Sequence, residues 1–295
     1  MNVTPVGTQR DILGECPLWD EREQALFWVD IRRPALRRLD PATGALETRL
    51  MPGLVGSVAL AGPGELLVGL AEQIVLYSWR ADQLETVAEV PVRIPGHRFN
   101  DGRCDRQGRF WVGTMHNITR APEGVLYRLD RSGQLVPVLE GICIPNSLAW
   151  SPDGRTMYFA DSLRYAIGQH EFDPDAGTMG AAQPFVRTAP PGFPDGSTVD
   201  AEGYLWNAEF NAGRVVRYAR DGSIDRIIAV PTSRPTSCAF GGPDLRTLFI
   251  TSTSQNMSEA ELVRDPFAGA LFAFEAGVSG IPEPRWARLA AAIAR

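Results

Sequence analysis

One short apolar pattern returns six times along the chain at nearly even spacing. It limits the possible architecture more than any other feature. It reads ALFWVDI from Ala25, ELLVGL from Glu65, RFWVGT from Arg109, TMYFADS from Thr156, YLWNAEF from Tyr204 and TLFITST from Thr247. Successive starts lie 40, 44, 47, 48 and 43 residues apart. A repeat in the forties has the length of one four-stranded propeller blade. The flanks repeat as well. A shorter apolar strand and a turn precede five of the runs, in PLWDERE, GRCDRQG, LAWSPDG, STVDAEG and CAFGGPD. A further strand and turn follow most of them, as in LRRLDPATG, GVLYRLDRSG and RVVRYARDG.

Each unit therefore reads as four short strands joined by Gly-, Pro- and Asp-rich turns. A lone sheet of that size cannot bury its faces, so neighbouring units must stack around an axis. The expected fold is all-β: a six-bladed β-propeller with four-stranded antiparallel blades around a central channel. Residues 1–295 form one domain, with a short tail at about 286–295 that is weakly helical and frays. The last blade lacks an obvious fourth strand, and VTPVG near the N-terminus is placed to supply it.

Composition narrows the function classes. Hydrophobic residues make up 44% and charged residues 22%, enough for a real core. A net charge of −6 argues against a nucleic-acid surface. No leader and no membrane-spanning run is evident, and a cytoplasmic location is expected. Cys16, Cys104, Cys143 and Cys238 form no CxxC pair and are expected to be thiols. Cys16 and Cys104 fall in first strands and are expected to pack as small hydrophobes, and Trp19, Trp111, Trp150 and Trp206 as inter-blade core. Only three histidines exist, which weakens mechanisms built on imidazole. His170 is expected at the surface. His97 adjoins Arg98 and belongs either to a pocket or to a solvated loop. No G-x-S-x-G elbow is present.

The repeats can be compared with one another. The first strands end at Asp20, Ala61, Asp105, Ser151, Asp200 and Gly241, and the residues five positions earlier are Glu15, Gly56, Asn100, Asn146, Asp195 and Thr236. Equivalent positions on six blades form a ring about the axis. Singly, such residues are ordinary turn formers. Together, two carboxylates and two carboxamides converging on one point are costly to bury, and one carboxyl would have to keep its proton. A divalent cation resolves both problems with oxygen ligands of this kind.

The segments LGECPLWD, RFNDGRCDRQGRFWVGTM, PNSLAWSPDGRTMYFADS, FPDGSTVDAEGYLWNAEFNAGRVVR and PTSCAFGGPDLRTLFITS resemble the hallmark motifs of one family. This is the senescence-marker protein-30/gluconolactonase/luciferin-regenerating enzyme (regucalcin-like) family, in its bacterial sugar-lactonase branch. The likeness runs from about Leu13 to Thr253. It implies a six-bladed propeller that hydrolyses a sugar lactone with one divalent metal ion in the channel. By motif, it implies Glu15, Asn146 and Asp195 as metal ligands and Asp195 also as general base. It further implies Arg98 and Asn100 as substrate-binding residues, Asn100 meeting substrate or, through water, the ion. Calcium, zinc, magnesium, manganese and ferrous iron all suit such ligands. One departure stands out. Animal members carry an acidic sugar-contacting residue just after GTM, where this chain has GTMHNITRAPEG, leaving His116, Asn117, Glu123 or no residue at all to replace it. Two rival readings remain open: a related metal-dependent ester or phosphotriester hydrolase, and a non-catalytic scaffold whose metal staples the blades.

Overall fold

The inner-strand turns show why the chain folds into hairpins. Asp105 Oδ1 accepts the backbone N–H groups of Gln107 and Arg109, and Gly108 closes the turn at φ +81°. Asp200 and Gly203 repeat the arrangement at φ +84°. An aspartate that bonds the backbone ahead, with glycine in the left-handed region, reverses the chain in few residues. Each such turn joins a first strand to the recurrent second strand.

The computed structural model describes residues 2–130 and 133–286. Six antiparallel sheets follow in chain order. The first holds Gly14–Asp20, Ala25–Asp30, Ala35–Asp40 and Ala45–Leu50. The second holds Val55–Leu60, Glu65–Leu70, Gln73–Ser78 and Gln83–Glu89. The third holds His97–Cys104, Phe110–His116, Gly124–Leu129 and Leu135–Ile142. In the fourth, Pro145–Trp150, Thr156–Asp161 and Ala166–Asp173 are followed by Gln183–Arg187, with Thr178–Met179 adding a short extra pairing. The fifth holds Phe193–Val199, Leu205–Phe210, Arg214–Tyr218 and Ile224–Ala229.

The sixth blade pairs Pro235–Gly241, Thr247–Ser252 and Leu271–Glu275, and its outer strand is Thr4–Val6 from the N-terminus. Thr4, Pro5 and Val6 align with Ala273, Phe272 and Leu271, so the two ends of the chain close one sheet as expected. Proline is tolerated there because an edge strand can spare a donor. Each inner strand touches the next, and that of blade six returns to blade one. The fold is a six-bladed β-propeller.

Burial grades outward from the axis. The first two strands of each blade are almost wholly buried, whereas Ala45–Leu50 and Gln83–Glu89 face solvent. The apolar core divides into six clusters, one between each pair of adjacent blades. Trp19, Trp111, Trp150 and Trp206 lie in these slabs, as anticipated. His170 does not behave as expected. It is only 4% exposed, its Nδ1 2.9 Å from Gly180 O, because the extra Thr178–Met179 pairing and its loop cover the ring. Cys16, Cys104 and Cys238 are buried free thiols.

Residues 278–286 cross the end of the channel where the first strands finish. Ala201 N donates to Ser279 O, Gly280 N to Leu245 O, and Trp286 N to Leu60 O. Arg285 pairs with Asp20, and Glu283 meets Arg103 at 2.9 Å. Of the expected tail, only Trp286 lies within the described residues, and it is buried. No helix among the described residues is long and apolar enough to cross a membrane.

Candidate active site and metal centre

At the opposite end of the channel, every inner strand carries one extra residue relative to its partner. In the first blade the ladder runs Glu15↔Val29 and resumes at Leu18↔Phe27. The same break follows Phe99, Asn146 and Pro194 in blades three, four and five. Blades two and six carry the same one-residue excess over a shorter unpaired stretch, after Val55 and Pro235. A bulge twists a strand locally and re-aims the side chains beside it. Glu15, Asn100, Asn146 and Asp195 sit at the bulges of blades one, three, four and five, and all four line one cleft together with Arg98. The cleft is open to solvent and holds about 580 Å³ of empty space counted out to its mouth. Two ring positions do not reach it. Gly56 has no side chain, and the Thr236 hydroxyl is held between Gly14 O at 2.5 Å and Thr251 Oγ1 at 2.9 Å.

The polar atoms form a directed chain. Arg98 Nη1 donates to Asn100 Oδ1 at 2.7 Å and to Phe99 O at 2.8 Å, and its Nε donates to Asn117 Oδ1 at 2.9 Å. With its oxygen engaged, Asn100 donates through Nδ2 to Asn146 Oδ1 at 2.8 Å and to Pro145 O at 3.0 Å. Asn146 in turn donates to Ser162 Oγ at 2.8 Å, and that hydroxyl donates to Pro194 O at 2.6 Å. The backbone of Asp195 is fixed from behind. Its carbonyl accepts from Ser147 Oγ at 2.6 Å and from Asn207 Nδ2 at 3.0 Å.

The carboxylates are the uncompensated part. Asp195 Oδ1 is buried with no hydrogen-bond partner among the described residues. Burial first, then the charges of Glu15 and Asp101, push the Asp195 carboxyl well above its usual range. Burial and Asp101 push Glu15 up to about 8. Burial, then Arg32, lowers Arg98 to about 10, so it stays protonated at neutral pH. A buried acceptor without a donor costs free energy and calls for an explanation.

A divalent cation fits this cluster. The donors are all oxygens, two carboxylates and a carboxamide, and their charge balances a hard dication. Three protein ligands leave positions for water or substrate. Among the described residues no three His, Cys, Asp or Glu side chains group as a metal site; a set built on Glu15 and Asp195 would take its third oxygen from Asn146.

Of the candidates after GTM, only Asn117 touches the cluster, through Arg98. His116 Nδ1 accepts the backbone N–H groups of Ile118 and Thr119 and shapes the loop. Glu123 faces His97 Nε2 at 3.4 Å beside a neighbouring hollow that His97 lines. Sequence reading missed Ser162 and Asn207, which position Asn146 and Asp195. Asn207 was detectable as a lone carboxamide inside the apolar run YLWNAEF. It also missed Arg120, Gln255, Phe193 and Phe210 on the cleft wall, which come from loops or strand ends without periodic signal.

A closed ring of six blades with one oxygen-lined polar site on its axis defines the class of protein. Comparison with known proteins then gives the family. The model of the SMP-30/Gluconolactonase/LRE-like region matches residues 13–254, and the chain belongs to that family. A 6-deoxy-6-sulfogluconolactonase of Pseudomonas putida is 39% identical over 281 residues, covering 95% of this chain and 96% of that one. An L-arabinolactonase of Azospirillum brasilense is 37% identical, covering 96% and 95%. Among solved structures, a calcium-binding regucalcin from Agrobacterium tumefaciens superposes with a TM-score of 0.93 at 31% identity, covering 97% of both chains.

Proposed function

We propose that this chain is a lactonase that opens a sugar lactone to the aldonic acid, with a divalent ion held by Glu15, Asn146 and Asp195. The observation that carries the reading is the buried, unpartnered Asp195 Oδ1 beside the Arg98–Asn100 pair in one cleft. Relatives named as sugar lactonases, similar along nearly the whole chain, support the reaction class. The regucalcin neighbour described as calcium-binding supports a dication without identifying it.

Lactone opening forms a bond from water oxygen to the carbonyl carbon and breaks the ring C–O bond. The proton lost by water ends on the departing ring oxygen, which becomes a hydroxyl, while water's oxygen stays in the new carboxyl group. When bound, the ion supplies Lewis-acid polarisation of the carbonyl and neutralises the charge that develops there. Asp195 takes the proton from the attacking water as general base. Arg98 and Asn100 hydrogen-bond substrate hydroxyls and orient the carbonyl over Asp195. Asn117, Ser162 and Asn207 hold these groups in place.

Asp195→Ala is expected to lower kcat/KM by about 10²- to 10⁴-fold, the range typical of a lost general base. The assay uses metal-stripped protein with each ion restored, across aldonolactones, aryl esters and phosphotriesters. Near wild-type turnover in a folded Asp195→Ala protein sinks the assignment. Preference for aryl esters or phosphotriesters moves the activity to a different hydrolase, and no turnover of any ester leaves a binding propeller.

A further inference from the structure

We infer that the lactone taken by this cleft carries an anionic oxyacid group remote from its carbonyl, recognised by Arg120 and Arg32. The inference deepens the lactonase reading and rests on it. The anion is a sulfonate, a phosphate or a carboxylate; what they share is negatively charged oxygens suited to a guanidinium fork.

The cleft lining carries charges of both signs. Glu15 and Asp195 line it together with Arg98 and Arg120. Arg98 comes from the inner strand of blade three and Arg120 from the loop after that blade's second strand. Arg32 comes from the loop after Ala25–Asp30 and donates through Nε to Gln255 Oε1, whose residue also lines the cleft. None of the three has a carboxylate within ion-pair distance among the described residues. Arg98 is held by two carboxamides and a backbone carbonyl. Arg32 is held by one carboxamide. The exposed Arg120 side chain meets no hydrogen-bond or ionic partner among the described residues.

Three cations share this part of the molecule. After burial, the charge of Arg120 is what lowers Arg32, and Arg32 and Arg120 both lower Arg98, against the opposite pull of Glu15 and Asp195. Arg98 is thus partly offset by the carboxylates, whereas no carboxylate pairs with Arg32 or Arg120 among the described residues, and these two guanidiniums keep an unneutralised field beside the cleft. Low-dielectric walls concentrate such a field and draw a ligand of opposite sign. Arginine also binds oxyanions in bidentate geometry, with charge-assisted bonds about twice as strong as neutral ones. A neutral polyol lactone uses hydroxyls that both donate and accept, and it gains nothing comparable from donors alone. Contacts running Asn146–Asn100–Arg98–Asn117 lead from the carboxamides to the loop that bears Arg120. The carboxylates and carboxamides thus serve the reactive carbonyl, and Arg120 with Arg32 serves the anion.

The test compares glucono-1,5-lactone with its 6-sulfonate, 6-phosphate and 6-carboxylate counterparts, using the wild-type chain, Arg120→Gln and Arg32→Gln. At least one anionic lactone is expected to show a kcat/KM tenfold or more above that of the neutral lactone. Its identity selects among the three anions. Each variant is expected to cut that preference about tenfold, mainly through KM, and added salt to erode it in the wild type. Equal wild-type use of neutral and anionic lactones overturns the inference while leaving lactone hydrolysis standing. So do variants that lower both substrates by the same factor. If no lactone opens, the lactonase reading falls, and calorimetry then decides the anion question. Gluconate 6-phosphate binding no tighter than gluconate ends it.

Discussion

Aspartate plays three distinct parts along the first strands, though its local sequence context barely changes. Asp105 and Asp200 end their strands as turn formers, yet each is also buried beneath a tryptophan. Asp105 Oδ2 accepts from Trp111 Nε1 at 3.1 Å, and Asp200 Oδ2 accepts from Trp206 Nε1 at 2.8 Å. Asp200 additionally meets Arg217 at 2.7 Å, so its charge is paired. Asp195, five residues earlier, has no such donor for Oδ1. The same residue type is structural where donors meet it and reactive where they do not. A pH dependence follows for the metal-free protein. Glu15 and Asp195 titrate above their usual range, so the folded state holds more protons than the unfolded state between the ordinary carboxylate range and about 8. Stability of the metal-stripped chain should therefore fall as pH rises across that window. Tm measured from pH 5 to 8 should decline, and Glu15→Gln should flatten the slope. A divalent ion should compete with these protons, so calorimetry in buffers of differing ionisation enthalpy should register proton release on binding near pH 7. Binding without proton release contradicts the assignment of Glu15 and Asp195 as ligands.

At the level of the strand, the site depends on bulges and on how closely inner strands approach each other. Gly56 explains why blade two contributes no ligand. A Cβ there would lie 2.2 Å from Phe99 O and 2.4 Å from Phe99 C, backbone atoms next to Asn100. The glycine is the space into which the Asn100 strand packs. Gly56→Ala is thus expected to destabilise the fold by about 1–3 kcal/mol, as overpacking does. It should also lower lactone turnover by displacing Arg98 and Asn100. Gly53→Ala is the control, because its Cβ would meet Ala71 Cβ at an ordinary 3.6 Å. Urea denaturation of both variants checks this, and equal stability sinks the spacer role. Gly196 is similar at blade five, where a Cβ would fall 2.0 Å from Ser237 Oγ.

For the whole molecule, the core is six slabs between blades, so no single cluster stabilises the ring and closure matters more than in a one-core fold. Closure is made twice. Thr4–Val6 completes blade six on the outside, and residues 278–286 tie blades one, two, three, five and six together at the base of the channel. Deleting residues 2–7 exposes the edge of Leu271–Glu275 and unpairs the ends of the chain. The expected result is a Tm lower by on the order of 10 °C, corresponding to a few kcal/mol for a chain of this size. An unchanged Tm shows that the remaining contacts suffice. The same unpaired edge should raise aggregation on heating, measured by light scattering.

The repeat of strand-length apolar runs determined the blade count, because a period near 45 residues admits few other solutions. Register between repeats was enough to pick out Glu15, Asn100, Asn146 and Asp195, since equivalent positions on a closed ring must converge. The N-terminal strand was legible for the same reason: one blade was short and one segment spare. The tertiary structure alone decided which ring positions keep an oxygen free. Thr236 and Asp195 look alike as polar residues before a strand, but one hydroxyl is spent on Gly14 O and one carboxylate oxygen is left unmet. It also decided the placement of Ser162, Asn207 and Arg120 and the burial of His170. Those depend on contacts between segments far apart in the chain, for which a linear pattern holds no distance information.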